Sequence, residues 1–140
     1  NLRYSYMQVS ARVDDGPESK SRFKSLGYQY DNGTWLGNAE ATNRRTADSI
    51  DDAFYVMAGR RFGDFLPHVT YAQWDQRDGG RESSWSYGLN YSLAPNITLK
   101  GEYKRVETTK GFLSTFAPDF TSATQTLDGD IISIGADFVF

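Results

Sequence analysis

Cysteine is absent from this sequence, and histidine occurs once, as His68. The first absence excludes disulfide frameworks and thiolate metal sites, and it is compatible with an extracytoplasmic protein that does without them. The second leaves any transition-metal site to be built mainly from carboxylates, and none is spaced for it. Asp14-Asp15 and Asp51-Asp52 lack the spaced acidic loop, with its glycine and terminal Glu, that a Ca²⁺ site requires, so they read as solvated loop charge. Neither a Ser-His-Asp order with an elbow glycine nor a phosphate-cradling loop is present. The residues therefore offer no catalytic candidate, and neither metal nor cofactor is expected.

An excess of basic charge is missing too. Net charge is −3 and the pI is near 5.1, so no nucleic-acid partner is expected. Mean hydropathy is −0.59, and no run approaches the roughly twenty apolar residues that a membrane-crossing helix needs. Strands that cross a membrane escape that test, because their two faces alternate and the mean stays low. Asn1-Leu2-Arg3-Tyr4 reads as strand rather than as a secretory leader, as expected of a mature form or of a chain that begins partway along a longer one. The length, 140 residues, suits one domain.

Aromatic residues and alternation are plentiful. Nine Tyr, nine Phe and three Trp make 15% of the chain, a surplus that rings at a membrane interface would use. Leu2 to Val13 sets Met7, Val9, Ala11 and Val13 against Tyr6, Gln8, Ser10 and Arg12. A second strand ending at Asp31 sets Leu26, Tyr28 and Tyr30 against Ser25, Gly27 and Gln29. Asn32-Gly33 between alternating runs predicts a two-residue hairpin turn with positive φ at both positions. The return strand, Thr34 to Arg44, turns Trp35, Gly37, Ala39 and Ala41 outward and Leu36, Asn38, Glu40, Thr42 and Arg44 inward. Strand four, Ala53 to Phe62, sets Phe54, Val56, Ala58 and Phe62 against Tyr55, Met57, Gly59 and Arg61. Strand five turns Pro67, Val69 and Tyr71 outward and His68, Thr70, Ala72 and Trp74 inward.

Strand six alternates most cleanly, Trp85, Tyr87, Leu89, Tyr91 and Leu93 against Ser84, Ser86, Gly88, Asn90 and Ser92. Strand seven sets Ile97, Leu99, Gly101 and Tyr103 against Thr98, Lys100, Glu102 and Lys104. The last, Asp130 to Phe140, sets Ile132, Ile134, Ala136, Phe138 and Phe140 against Ile131, Ser133, Gly135, Asp137 and Val139. All eight are period-two patterns. Their connections alternate between tight (32–33, 63–64, 95–96) and long or charged (14–20, 45–52, 76–82, 108–129), the asymmetry of outer-membrane barrels. One small interior could not easily hold Tyr28, Tyr30, Trp35, Phe54, Trp85, Tyr87, Tyr91 and Tyr103 together, whereas pointed outward they meet lipid and headgroups at no packing cost.

The hairpin 27–36 (GYQYDNGTWL), the runs 54–63 (FYVMAGRRFG), 66–72 (LPHVTYA) and 85–96 (WSYGLNYSLAPN), and the closing strand resemble the C-terminal part of a Gram-negative outer-membrane porin. The likeness covers roughly Phe23 to Phe140. It implies an all-β fold: a transmembrane antiparallel up-and-down β-barrel of about eight strands here, half of a barrel of about sixteen, often trimeric. Residues 1–140 would then be a single β-barrel domain or the C-terminal half of one. The implied function is passive diffusion of small polar solutes in the bacterial outer membrane. Ile132, Ile134, Ala136, Phe138 and Phe140 resemble the terminal signal read by the barrel-assembly machinery. Outer-membrane lipid and lipopolysaccharide would be further partners.

On this reading Tyr28, Tyr30, Trp35, Trp85, Tyr87, Tyr91 and Phe138 face the membrane, while Glu40, Arg44, Arg61, Lys100, Glu102 and Lys104 line the pore. The competing role for that charged set is a salt-bridge network plugging a narrow barrel. His68 reads as a satisfied or lumen-lining imidazole. Arg22, Lys24 and Arg105 fall toward the long-loop end, where they meet lipopolysaccharide phosphates or simply snorkel. Two other architectures share the pattern: a complete eight-stranded barrel with a filled lumen and an anchoring role, and a soluble ligand-binding barrel of lipocalin type.

Overall fold

Every alternating run becomes a strand, because a pleated chain is the conformation that sends successive side chains to opposite faces. The computed structural model describes residues 1–11, 19–46, 49–77, 79–109 and 128–139. The strands are β1 (Leu2–Ala11), β2 (Ser19–Asp31), β3 (Trp35–Arg45), β4 (Ile50–Arg60), β5 (Phe65–Gln76), β6 (Gly80–Ala94), β7 (Ile97–Thr108) and β8 (Gly129–Phe138). They form one eight-stranded antiparallel sheet in chain order. Among the described residues β1 and β8 do not pair. The sheet is open, so the closed eight-stranded barrel and the lipocalin-type barrel, both of which need that pairing, are not formed.

Strand ends and turns differ from expectation in instructive ways. The turn after β2 is centred on Gly33 and Thr34 rather than on Asn32 and Gly33, with the Asn32 amide donating to Trp35 C=O at 3.2 Å. Side chains cause the shift. Asn32 Oδ1 accepts the Thr34 and Trp35 amides at 3.1 and 2.7 Å, and Asp31 Oδ1 accepts the Gly33 amide at 2.8 Å. Gly33, at φ +89°, sits where a type II′ turn places glycine. The two strands keep their expected faces because the register moves by two. The Gly63-Asp64 turn forms as expected, closed by reciprocal bonds between Phe62 and Phe65 of 2.8 and 3.1 Å.

Two connections expected to be long are short. Arg44 pairs with Asp51 and Arg45 with Ile50, and the Thr46 amide donates to Ser49 C=O at 2.9 Å. Likewise Asp75 pairs with Arg81 and Gln76 with Gly80, and the Gly79 amide donates to Gln76 C=O at 2.9 Å. Two of the charges that made these stretches look like loops, Asp51 and Arg81, form cross-strand ion pairs with Arg44 and Asp75, which help to hold the hairpins together past the apolar part of the strands. The bulk of the other two long connections, 12–18 and 110–127, lies outside the described residues.

Register fixes the faces. Leu26, Ala41, Phe54, Gln73 and Ser83 form one row, and Ala39, Val56, Tyr71, Trp85 and Arg105 the next. Gly27, Glu40, Tyr55, Ala72, Ser84 and Val106 form a row on the opposite face. The distribution of burial is inverted relative to a water-soluble core. Trp85, Tyr87, Leu89 and Ile134 are exposed, Ile134 at 89%, while Ser25, Ser84, Ser86 and Thr108 are buried. β1 departs from its own pattern: pairing places Tyr4 and Tyr6 beside Leu26 and Lys24, and sends Met7 and Val9 to the Glu40 face beside Phe23 and Ser21.

Candidate functional site: the polar face of the sheet

All six charged residues expected inside share one face. Glu40 and Arg44 come from β3, Lys100, Glu102 and Lys104 from β7, and Arg61 follows β4 on the same parity. Four of them are held by partners. Arg44 grips Asp51 through Nε at 2.8 Å and Nη2 at 2.6 Å. Arg61 grips Asp31 at 2.8 and 2.9 Å and reaches Gly33 C=O at 3.2 Å. That bonding pushes the Arg61 pKa above its ordinary value, so its charge is permanent. Lys100 pairs with Asp137, and Arg3 approaches Glu40 at 3.5 Å. Glu102 and Lys104 have no ion-pair partner among the described residues.

Asp31, Asp51, Asp137, Glu82 and Arg3 belong to this face and were missed as members of the charged set. Asp31 and Asp137 continue the polar parity of their strands, and Asp51 continues that of β4 two residues upstream of Ala53, so parity alone would have found them. With them the described face carries five basic groups (Arg3, Arg44, Arg61, Lys100, Lys104) and six acidic ones (Asp31, Glu40, Asp51, Glu82, Glu102, Asp137). Charge is nearly balanced and much of it is locally paired.

His68 is placed on this face between two glycines, Gly59 and Gly88. Its ring lies over Gly88, where any Cβ would collide with it. Its Nδ1 is buried without a hydrogen-bond partner among the described residues. A separate depression of about 290 Å³ lies farther along the sheet, lined on this face by Glu40, Tyr55, Trp74, Glu82, Ser84 and Lys104.

The opposite face gathers the aromatic residues. Phe65 stacks on Tyr91 at 4.6 Å, and Tyr71 tilts against Trp85 at 4.9 Å. The Arg60 guanidinium sits over both Trp35, at 5.1 Å, and Phe62, at 4.7 Å. Tyr28, Tyr30, Trp35, Trp85, Tyr87 and Phe138 are all exposed here, as are Ile132 and Ile134. Tyr91, stacked on Phe65, and Ala136 share the same parity, whereas Phe140 lies outside the described residues. No described helix is long and apolar enough to cross a membrane, and strands are the elements available to do so.

Comparison with known proteins agrees with this geometry. A family model of Gram-negative porins matches residues 1–111, beginning before the stretch in which the likeness was legible. No curated protein sequence matches the chain. Its fold is similar to that of the anion-selective porin from Comamonas acidovorans, with a TM-score of 0.74 and 17% identity over 99% of this chain. The chain spans 45% of that porin's length. An open sheet of membrane-type strands, exposed on its apolar face and charged on its other, is what part of such a barrel consists of, and the chain belongs to the Gram-negative porin family.

Proposed function

We propose that these eight strands are part of the wall of a larger water-filled barrel through which small hydrophilic solutes diffuse passively across the outer membrane. The observation that carries this is the division of the open sheet into an exposed apolar face and a face of small, polar and charged residues. Unpaired strand edges are not stable in hydrocarbon, so β1 and β8 require further strands to close against. Trp35, Trp85, Tyr87, Leu89, Tyr91, Ile134 and Phe138 then contact lipid, and Glu40, Arg61, Asn90 and Lys100 face water. Labelling of single cysteines with a membrane-impermeant reagent tests this: position 100 should react and position 87 should not, and the reverse pattern would reject it.

The similar porin is named for anion selectivity. The near balance of charge on this chain's polar face gives its share of the wall little net preference, so selectivity for one sign would depend on the rest of the barrel. Assembly of three copies, and reading of the terminal strand by the barrel-assembly machinery, complete the proposal.

A further inference from the structure

Two large rings stand on the side of the sheet that a membrane belt does not use. Within the described strands the polar face carries Phe23, Tyr55 and Trp74, and every other strand Phe, Tyr and Trp has the opposite parity. Tyr55 and Trp74 are diagonal neighbours on β4 and β5, a separation of about 7–8 Å that aromatic side chains can bridge. The direct partner of each ring is an alanine, Ala72 for Tyr55 and Ala53 for Trp74, and such small partners leave open space beside both. Register extends the pattern outward. From β3 to β6 one row reads Glu40, Tyr55, Ala72, Ser84, and from β6 back to β3 the next reads Glu82, Trp74, Ala53, Thr42. Each row sets a carboxylate, a ring, a methyl and a hydroxyl in the same order, so the two are related by a local two-fold rotation.

The space along these rows is the depression of about 290 Å³, close to the lower limit of small-molecule sites, about 300 Å³. Phe54 and Gln73 also border it, but by parity their side chains leave for the other face, so the two rings, the alanines, Glu40, Glu82 and Lys104 shape it. It adjoins a second depression, of about 360 Å³, that shares Glu40 and Tyr55 and continues over Gly27 to Arg3, Gln29 and Asn38. These groups select among solutes. An anion meets two carboxylates against one ammonium among the described residues, and an organic cation drawn to the rings meets Lys104 with like charge. A neutral ring bearing hydroxyls uses every group. Its C–H hydrogens, slightly positive, lie on the negative faces of Tyr55 and Trp74, while its hydroxyls donate to Glu40 and Glu82 and accept from Lys104. We propose that this depression is a sugar-binding subsite on the inner wall. One pyranose ring lies against Tyr55 and Trp74, and the adjoining depression receives the next ring of an oligosaccharide. The assignment rests on the reading above that the polar face lines a water-filled lumen, and it names the class of polar solute.

Planar-bilayer recordings of the complete porin test this, with cellobiose as the probe and mannitol, a chain of hydroxyls with no ring face, as the control. High salt suppresses surface-charge effects during the recording. Cellobiose should block the ion current at a concentration about tenfold lower than mannitol, as contacts to two rings allow. Y55A and W74A should each raise the half-blocking concentration about fivefold, while Y55F, which keeps the ring, should stay within about twofold of the wild type. A72L, which fills the floor beside Tyr55, should abolish the preference for cellobiose. The current before sugar is added shows that each variant has formed a barrel. Equal block by cellobiose and mannitol, or unchanged block in both Y55A and W74A, would overturn the proposal. Block by tetramethylammonium with no response to cellobiose would also overturn it, making the site a cation cage. A wild-type porin that carries no current refutes the lumen itself, whereas one that conducts and ignores cellobiose loses only the sugar site.

Discussion

Arg44→Ala tests how the structure weights its charges. Arg44 and Asp51 are direct cross-strand partners on the polar face, as Asp75 and Arg81 are on the apolar face. Both pairs are short, 2.6 and 2.7 Å, but the Asp51 side chain is 6% exposed and the Asp75 side chain 36%. Losing Arg44 strands a buried carboxylate whose Oδ1 already has no partner among the described residues, with only Ser49 Oγ, at 3.4 Å, left near Oδ2. Breaking a fully buried pair costs about 3–5 kcal/mol, and the half-exposed Arg44 reduces that toward the value of charged hydrogen bonds, about 2 kcal/mol. That is roughly a 30-fold change in the unfolding equilibrium. For Arg81→Ala, whose partner stays solvated, less than about 1 kcal/mol is expected.

Urea unfolding of the complete barrel in lipid vesicles, followed by tryptophan fluorescence, measures both. Asp51→Asn should fall between them, since an amide still accepts one bond from Arg44. Equal losses for Arg44→Ala and Arg81→Ala, within about 0.5 kcal/mol, would refute the reasoning that burial of the carboxylate, rather than the ion pair itself, sets the cost.

Lys104→Glu should move the reversal potential in a salt gradient toward cations, and Asp137→Asn, which unmasks Lys100, should move it toward anions. Both shifts should shrink between 10 mM and 1 M salt as the screening length falls from about 30 to about 3 Å, and invariance at low salt would place these residues in a plugged network. Gly88→Val should drive the His68 ring off the sheet at a cost of about 1 kcal/mol and raise its rate of acylation by diethyl pyrocarbonate; an unchanged rate would contradict the packing of the ring on Gly88. Deleting Phe140 should slow insertion of newly made barrel more than it lowers the stability of folded barrel, which pulse-labelled assembly set against urea unfolding would show.

Much of this protein was legible in sequence because a strand's period is two and needs no partner to be seen. Trp85 to Leu93 against Ser84 to Ser92 assigns faces without any tertiary information, and the tight turns at 63–64 and 95–96 follow from local chemistry. That no thiolate chemistry occurs in these residues follows from the absence of cysteine alone. Pairing decided the rest. Only register shows that Met7 and Val9 join the polar face, since β1 alternates apolar against partly aromatic residues and its own pattern is ambiguous. Only register turns Asp51 and Arg81 from loop charges into cross-strand partners, because a charged residue next to a turn reads the same whether or not a strand lies opposite. The openness of the sheet, and with it the choice between a small closed barrel and a segment of a larger one, depends on whether β1 and β8 meet, and no local pattern encodes a contact between residues so far apart in the chain.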